Sequence, residues 1–199
     1  MFTGFRGSFE SIYERNKKYA GLFKKGPVLD IGCGRGEFLK ILAERGIEGF
    51  GIDNDCAVIA GLKSKGLNAE DTDFTDFKPT VPFAGIMGCH IIEHIPPEEV
   101  NGFLAKCRDL LEDGGILVLV TPNFQNLEVA TETFWRDLEH KRPYPLTMLR
   151  SLLEGVGFKV VKEGFDPETA HDGIKRVLAH IPVIGKYFTP KDIFIVAKK

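Results

Sequence analysis

Apolar positions along the chain follow two alternating rhythms. Over residues 8–22 the period is helical, with Phe9, Ile12, Tyr13, Ala20 and Phe23 near one face. Gly26-Pro27 breaks that pattern, and the short apolar run Val28 to Ile31 then ends at glycines, which predicts a first strand. A helix follows over Glu37 to Arg45, with Phe38, Ile41 and Leu42 inward and Gly46 as its stop. Phe50 to Ile52 is a second strand. Asp53 and Asn54 are good caps for a helix that runs to Lys65 and stops at Gly66. Leu67 to Glu70 reads as a third strand and the glycine-rich run Phe83 to Cys89 as a fourth.

Pro97 opens the most regular helix, on which Val100, Phe103, Leu104, Cys107 and Leu111 keep the 3.6-residue period. Asp113-Gly114-Gly115 is a turn, Ile116 to Thr121 a wholly apolar fifth strand, and Leu146 to Glu154 a helix. Phe158 to Val161 and Ile193 to Ala197 are the last strands. Strands alternating with helices predict an α/β fold: a mainly parallel sheet with helices on both faces and a ligand site at the carboxyl ends of the strands. Residues 122–145 and 163–191 are long connections, expected to act as lid or substrate segments, as is the helix within 1–25.

Composition narrows the class without changing this outline. The 199 residues, 43% hydrophobic and 27% charged, suit one domain, 1–199, with a core that needs no staples. A net charge of −2 and an isoelectric point near 6.2 argue against broad nucleic-acid binding. No apolar run is long enough to span a bilayer, and the N-terminus has no apolar leader core, so no membrane insertion and a cytoplasmic location are expected. Cys33, Cys56, Cys89 and Cys107 form no CxxC pair, which is poor spacing for zinc and fits reduced thiols.

The densest chemistry lies at Val28-Leu29-Asp30-Ile31-Gly32-Cys33-Gly34-Arg35-Gly36-Glu37, a strand running through a glycine turn into a helix. Such a turn lets a ligand approach the backbone and offers free helix N–H groups. Glu37 stands where a GxGxxG loop has its third glycine, and no GK[ST] follows, so neither a dinucleotide loop nor a P-loop is matched. Asp53, 23 positions after Asp30, can accept from both hydroxyls of a ribose. Two carboxylates near a pyrophosphate would repel it, so a cationic, phosphate-free nucleoside fits better.

These residues resemble class I S-adenosylmethionine (SAM)-dependent methyltransferases. VLDIGCGRGEFL resembles their first motif and GIDND the acidic motif of the second strand. Asp71-Thr72-Asp73-Phe74 resembles the adenine segment, Cys89 to Ile95 the fourth-strand motif ending in EH, and Leu111 to Gly115 the LxPGG turn, with Asp113 for proline. Thr121-Pro122-Asn123 is similar to the TPN that follows in the family. The resemblance implies a Rossmann-like seven-stranded sheet of order 3-2-1-4-5-7-6 with its last strand antiparallel. It also implies SAM as cofactor, with S-adenosylhomocysteine as product, and cofactor contacts at Asp30, Gly32, Cys33, Gly34, Asp53, Asn54, Asp73, Phe74 and His90. Phe5-Arg6-Gly7-Ser8 with Ile12 and Glu14-Arg15, and Phe134 to Pro143, are similar to segments of bacterial polysaccharide- and O-antigen-linked methyltransferases, with Glu139 where threonine is usual. That narrower likeness implies a small-molecule, sugar or glycan-linked phosphate acceptor.

Methyl transfer needs in-line alignment and exclusion of water, and a hydroxyl acceptor also benefits from a base. His94, His140 and Asp137 are the candidate catalytic residues. His94 reads equally as an anchor bonded to nearby backbone, and His140 as a lid-packing ring. Arg136, Lys141 and Arg142 beside Trp135 and Tyr144 form either a solvated lid or a cradle for an anionic or sugar acceptor. No metal site is expected, because His90, Glu93 and His94 on an extended strand would face opposite ways. The competing function is a non-catalytic SAM-binding module that regulates or scaffolds an assembly. An NAD-dependent oxidoreductase is disfavoured by Glu37, and nucleic-acid methylation by the absence of an Asn-Pro-Pro-Tyr type motif.

Overall fold

The computed structural model describes residues 7–169, 173, 179–181 and 184–199. Phe5 and Arg6, and parts of the expected 163–191 lid, lie outside the described residues. Seven strands form one sheet of order β3-β2-β1-β4-β5-β7-β6, matching the expected order. They are β1 (Val28–Ile31), β2 (Gly49–Asp53), β3 (Ala69–Asp71), β4 (Phe83–Cys89), β5 (Leu111–Pro122), β6 (Lys159–Phe165) and β7 (Asp192–Lys198). The helices are α1 (Phe9–Ala20), α2 (Glu37–Glu44), α3 (Cys56–Ser64), α4 (Val100–Leu110), α5 (Leu127–Thr131) and α6 (Leu146–Gly155). None of the described helices is long and apolar enough to cross a membrane.

The described residues fall into two compact units, one of 7–88, 106–118 and 198–199, the other from 89–105 and 119–197. In the first, β1 pairs in parallel with both β2 and β4, and β2 with β3. In the same unit Lys199 N donates to Gly115 O at 3.0 Å, and in the second Asn123 N donates to Lys191 O at 2.7 Å. As β5 ascends its partner number falls, so β7 runs antiparallel to it, as expected.

Local chemistry explains the elements. Ser8 caps α1 by accepting from Ser11 N at 3.2 Å. The buried face of α1 is Ile12, Asn16, Tyr19 and Ala20, whereas Phe9 and Tyr13, expected inward, are half-buried. The fourth strand is glycine-rich for a steric reason: a Cβ on Gly85 would lie 2.3 Å from the Phe23 ring, which in turn packs edge-on to Phe38 at 5.8 Å. At α3 the structure corrects the reading of the caps. Asp55, not Asp53 or Asn54, is the cap, accepting from Ala57 N at 3.0 Å and Val58 N at 3.2 Å. Asp53 is held in β2 opposite Asp71, so the chain stays extended past the first acid able to cap. The 122–145 connection is also less irregular than expected: Asn126 accepts from Val129 N at 3.1 Å and opens α5, which leads into a 3₁₀ turn over Thr133–Arg136.

Gly36 starts α2 with φ +80°, and a Cβ there would come within 2.5 Å of Leu62 Cδ2. It thus does the close-packing work of a third glycine, one position earlier than the dinucleotide spacing would have it. Gly36→Ala is expected to destabilise the fold by about 1–3 kcal/mol, mainly from the left-handed backbone. Urea unfolding would check this, and an unchanged midpoint and slope would contradict it.

Candidate functional site

The glycine loop between β1 and α2 is tied to β2 at three points. Gly32 N and Cys33 N both donate to Ile52 O, at 2.9 and 3.0 Å, and Gly34 N donates to Asp53 Oδ2 at 2.9 Å. Gly32 and Gly34 have φ +68° and +49°, a turn that side-chain-bearing residues rarely adopt. Asp53 Oδ1 accepts from Asp55 N at 3.1 Å. Each Asp53 oxygen has therefore taken one backbone N–H and keeps a lone pair, while the residue is only 8% exposed. Asp30, near the carboxyl end of β1, is buried as well, and Asn54 is exposed. The Cys33 thiol is turned inward onto Leu39, Ile59 and Leu62, so the loop can offer a ligand its backbone and not its sulfur.

The loop's basic side chain is spent on the protein itself. Arg35 donates to Glu37 Oε1 at 2.7 Å and to Gly7 O at 2.8 Å, and Glu37 is fully buried. Two buried carboxylates beside a loop whose guanidinium is turned away make a poor seat for phosphates. They fit a cationic nucleoside. Beyond β3, Asp73 is exposed and its Oδ1 accepts from both Thr75 N and Thr75 Oγ1 at 2.8 Å, while Phe74 is half-buried.

The second unit is organised by Glu93, which the sequence placed in the EH motif and among rejected metal ligands, with no structural role. It is wholly buried. Its Oε1 lies 3.0 Å from His90 Nδ1, and its Oε2 accepts from Thr121 Oγ1 at 2.9 Å. Its carbonyl accepts from Lys141 N at 2.8 Å, which ties down the 134–143 segment. His90 adopts φ +57°, donates its N–H to Val120 O at 2.8 Å, and sets Nε2 3.6 Å from Asp192 Oδ2. Both ring nitrogens of His90 thus face carboxylates. Burial alone pushes its pKa down. Asp192, Cys89 and Glu93 outweigh that and hold it well above the ordinary histidine value.

His94 and His140 meet edge-on with ring centroids 4.7 Å apart. His140 Nδ1 lies 2.6 Å from Phe134 O. A carbonyl only accepts, so Nδ1 carries the proton and a neutral ring leaves Nε2 a lone pair, 3.9 Å from Asp137 Oδ2. Burial, helped by His140, lowers the His94 pKa against the opposing pull of Glu93, Asp137 and Glu139. The ring is therefore neutral near pH 7 and keeps a nitrogen lone pair. The geometric argument against a metal does not survive here, because Ile92–His94 is a 3₁₀ turn and not a strand. Among the described residues, donor atoms of Glu93, His94 and His140 lie within 4.8 Å of one another, as do those of His94, Asp137 and Glu139. Glu93, however, already satisfies both its oxygens internally.

Of the cationic cradle, Arg136 is paired with Glu132, and Arg142 lies over the Tyr144 ring at 5.2 Å. Trp135 is 61% exposed and packs edge-on to Phe134 and Phe124. A groove of about 360 Å³, lined by Phe124, Gln125, Leu127, Ala130 and Tyr187, lies in the same unit. Sequence reasoning missed it, since its walls come from α5 and from a turn near residue 187.

Known proteins agree with this geometry. The Methyltransferase domain family matches residues 6–163, and the chain belongs to that family. A solved SAM-dependent methyltransferase from Archaeoglobus fulgidus is 31% identical, with TM-score 0.81 over 98% of this chain and 96% of its own. A ubiquinone biosynthesis O-methyltransferase from Bradyrhizobium sp. is 30% identical over 117 residues, covering 56% of this chain and 46% of the relative. A sphingolipid C9-methyltransferase from Candida albicans is 26% identical over 69% of this chain and 31% of its own length. The chain thus spans less than half the length of the curated relatives it matches.

The charge on His90 sets a pH test. Its folded-state pKa is raised, so its stabilising contribution is complete below about pH 6.5, the unfolded value, and is lost as pH rises through the folded one. The stability gap between wild type and His90→Asn, a residue that tolerates positive φ, should be widest near pH 6 and narrow toward alkaline pH. A gap that is flat or grows with pH would sink the imidazolium assignment.

Proposed function

We propose that this chain is a SAM-dependent methyltransferase that acts on an oxygen of a small-molecule, sugar or glycan-linked phosphate acceptor. The observation that carries the reading is the buried Asp53 carboxylate, bonded to the glycine loop with lone pairs left for two ribose hydroxyls. Bound SAM supplies a methyl group already activated on a sulfonium. In this reading the backbone of Gly32, Cys33 and Gly34, with Asp30 and Asn54, orients the amino-acid and ribose end. Asp73 accepts from the adenine amino group, Phe74 packs on the ring, and His90 steadies the end of β4.

His94, His140 and Asp137 are the groups that take the proton from a hydroxyl acceptor, His140 through Nε2 with its other nitrogen held by Phe134 O. A phosphate acceptor needs no such base. No resident metal enters the reading: Glu93 is spent on His90 and Thr121, and His94 and Asp137 are taken as bases. Oxygen as the accepting atom draws support from the ubiquinone biosynthesis O-methyltransferase relatives. The sugar and glycan-phosphate classes draw on the likeness of residues 134–143 to polysaccharide-linked enzymes. The whole chain is read as one domain working in the cytoplasm.

A second reading of the acceptor, an amphiphile with an apolar portion, is favoured by the groove of Phe124, Leu127, Ala130 and Tyr187.

Calorimetric titration with SAM, S-adenosylhomocysteine and NAD tests the core of the proposal: both sulfur ligands bind and NAD does not. Asp53→Ala should weaken SAM binding by about 1–3 kcal/mol, from lost bonds to a charged acceptor. Unchanged affinity would remove Asp53 from the site. With an acceptor in hand, His140→Ala should lower kcat while the SAM affinity holds. Equal losses in both would make His140 a support for cofactor binding alone.

A further inference from the structure

The segment after β3 is held at several points, and one of them lies outside every motif. Thr72 N donates to Asp53 O at 3.1 Å, which hangs the start of the segment on the end of β2. Asp76 N and Phe77 N both donate to Asp73 O at 3.1 Å, and the buried Phe77 stacks on Phe50 with centroids 5.7 Å apart. Between these anchors the carbonyls of Phe74 and Thr75 need a donor. Lys106, on α4, supplies it: its ammonium lies 2.6 Å from Phe74 O and 2.8 Å from Thr75 O. The same Nζ sits 5.0 Å from the centroid of the Phe74 ring.

We infer that Lys106 is a positioning residue for adenine recognition, acting through Phe74 and Asp73. The inference rests on the reading of Asp73 and Phe74 as the adenine contacts. One cation grips both the backbone and the ring of a single residue, through two charge-assisted hydrogen bonds and a cation–π contact. The grip falls next to Asp73. Its Oδ1 is already capped by Thr75, so one carboxylate oxygen is left to meet an amino group. A shift of the Phe74–Thr75 backbone would carry that carboxylate with it, because Thr75 supplies both of the bonds that orient Oδ1. Lys106 therefore bears on which base is accepted, and not only on how firmly the fold holds.

The test compares S-adenosylhomocysteine with S-inosylhomocysteine, in which an oxo group replaces the adenine amino group, by calorimetry on the intact protein. Lys106→Met should weaken S-adenosylhomocysteine binding about tenfold, the scale of a lost pair of bonds from a charged donor. It should weaken S-inosylhomocysteine less, so that the preference between the two narrows. Lys106→Arg, which keeps the charge and the donors, should restore most of both. Equal weakening of the two ligands, or a lowered Tm with the preference intact, would assign Lys106 a purely structural role and overturn the inference. Asp73→Ala separates the underlying reading: if it leaves affinity and preference untouched, the adenine contacts are misassigned and the Lys106 inference falls with them. If Asp73→Ala abolishes the preference while Lys106→Met keeps the wild-type values, only the Lys106 inference falls.

Discussion

The hydrogen bond from Gly34 to the Asp53 carboxylate is the constraint around which the first unit is arranged. It joins a loop whose backbone is turned by positive φ angles to the end of the neighbouring strand. The charge of Asp53 makes this bond stronger than an amide–carbonyl one. The same carboxylate fixes Asp55, and Asp55 caps α3. One side chain thus sets where β2 ends, where the next helix starts and how the glycine loop is shaped. The acid is nearly buried there, and each of its oxygens accepts from one backbone N–H, so neither is left without a donor.

The second unit uses a buried acid differently. Glu93 accepts from Thr121 through one oxygen, faces the His90 ring with the other, and holds the 134–143 segment through its own carbonyl. A carboxylate with no exposure would be costly alone. Here a protonated imidazole and a hydroxyl answer it, and Asp192 faces the other nitrogen of that imidazole. The candidate base His140 then hangs on a segment whose attachment point is a polar network.

Much of this was legible from the residues. β1 and β4 fall where the apolar runs predict, since three apolar residues around Asp30 in β1, and seven apolar or small ones in β4, leave little choice between turn formers. The glycine loop and Asp53 were readable because their spacing is local. The α3 cap was misread because Asp53, Asn54 and Asp55 are all able to cap; pairing with β3 removes Asp53, and it is the Asp55 side chain that meets Ala57 N and Val58 N. α5 escaped because five residues with a single buried apolar one, Val129, carry no period. The role of Glu93 was invisible for another reason. Its side-chain partner Thr121 and the Lys141 N–H that its carbonyl accepts are both distant in sequence, so only His90 stands near it along the chain. Lys106 likewise reads as the polar face of a helix until the carbonyls of Phe74 and Thr75 are found against it.

Arg35 lies inside the glycine loop, yet its hand is closed on Gly7, one residue before the cap of α1. The loop and the start of the chain are therefore thermodynamically linked, and such linkage is reciprocal. A change in the loop that favours the Arg35–Gly7 contact also favours the folded start of the first helix, and fraying of that start removes a bond from the loop. The shape of the loop is in this way partly held by a residue that lies outside it, just ahead of the first helix.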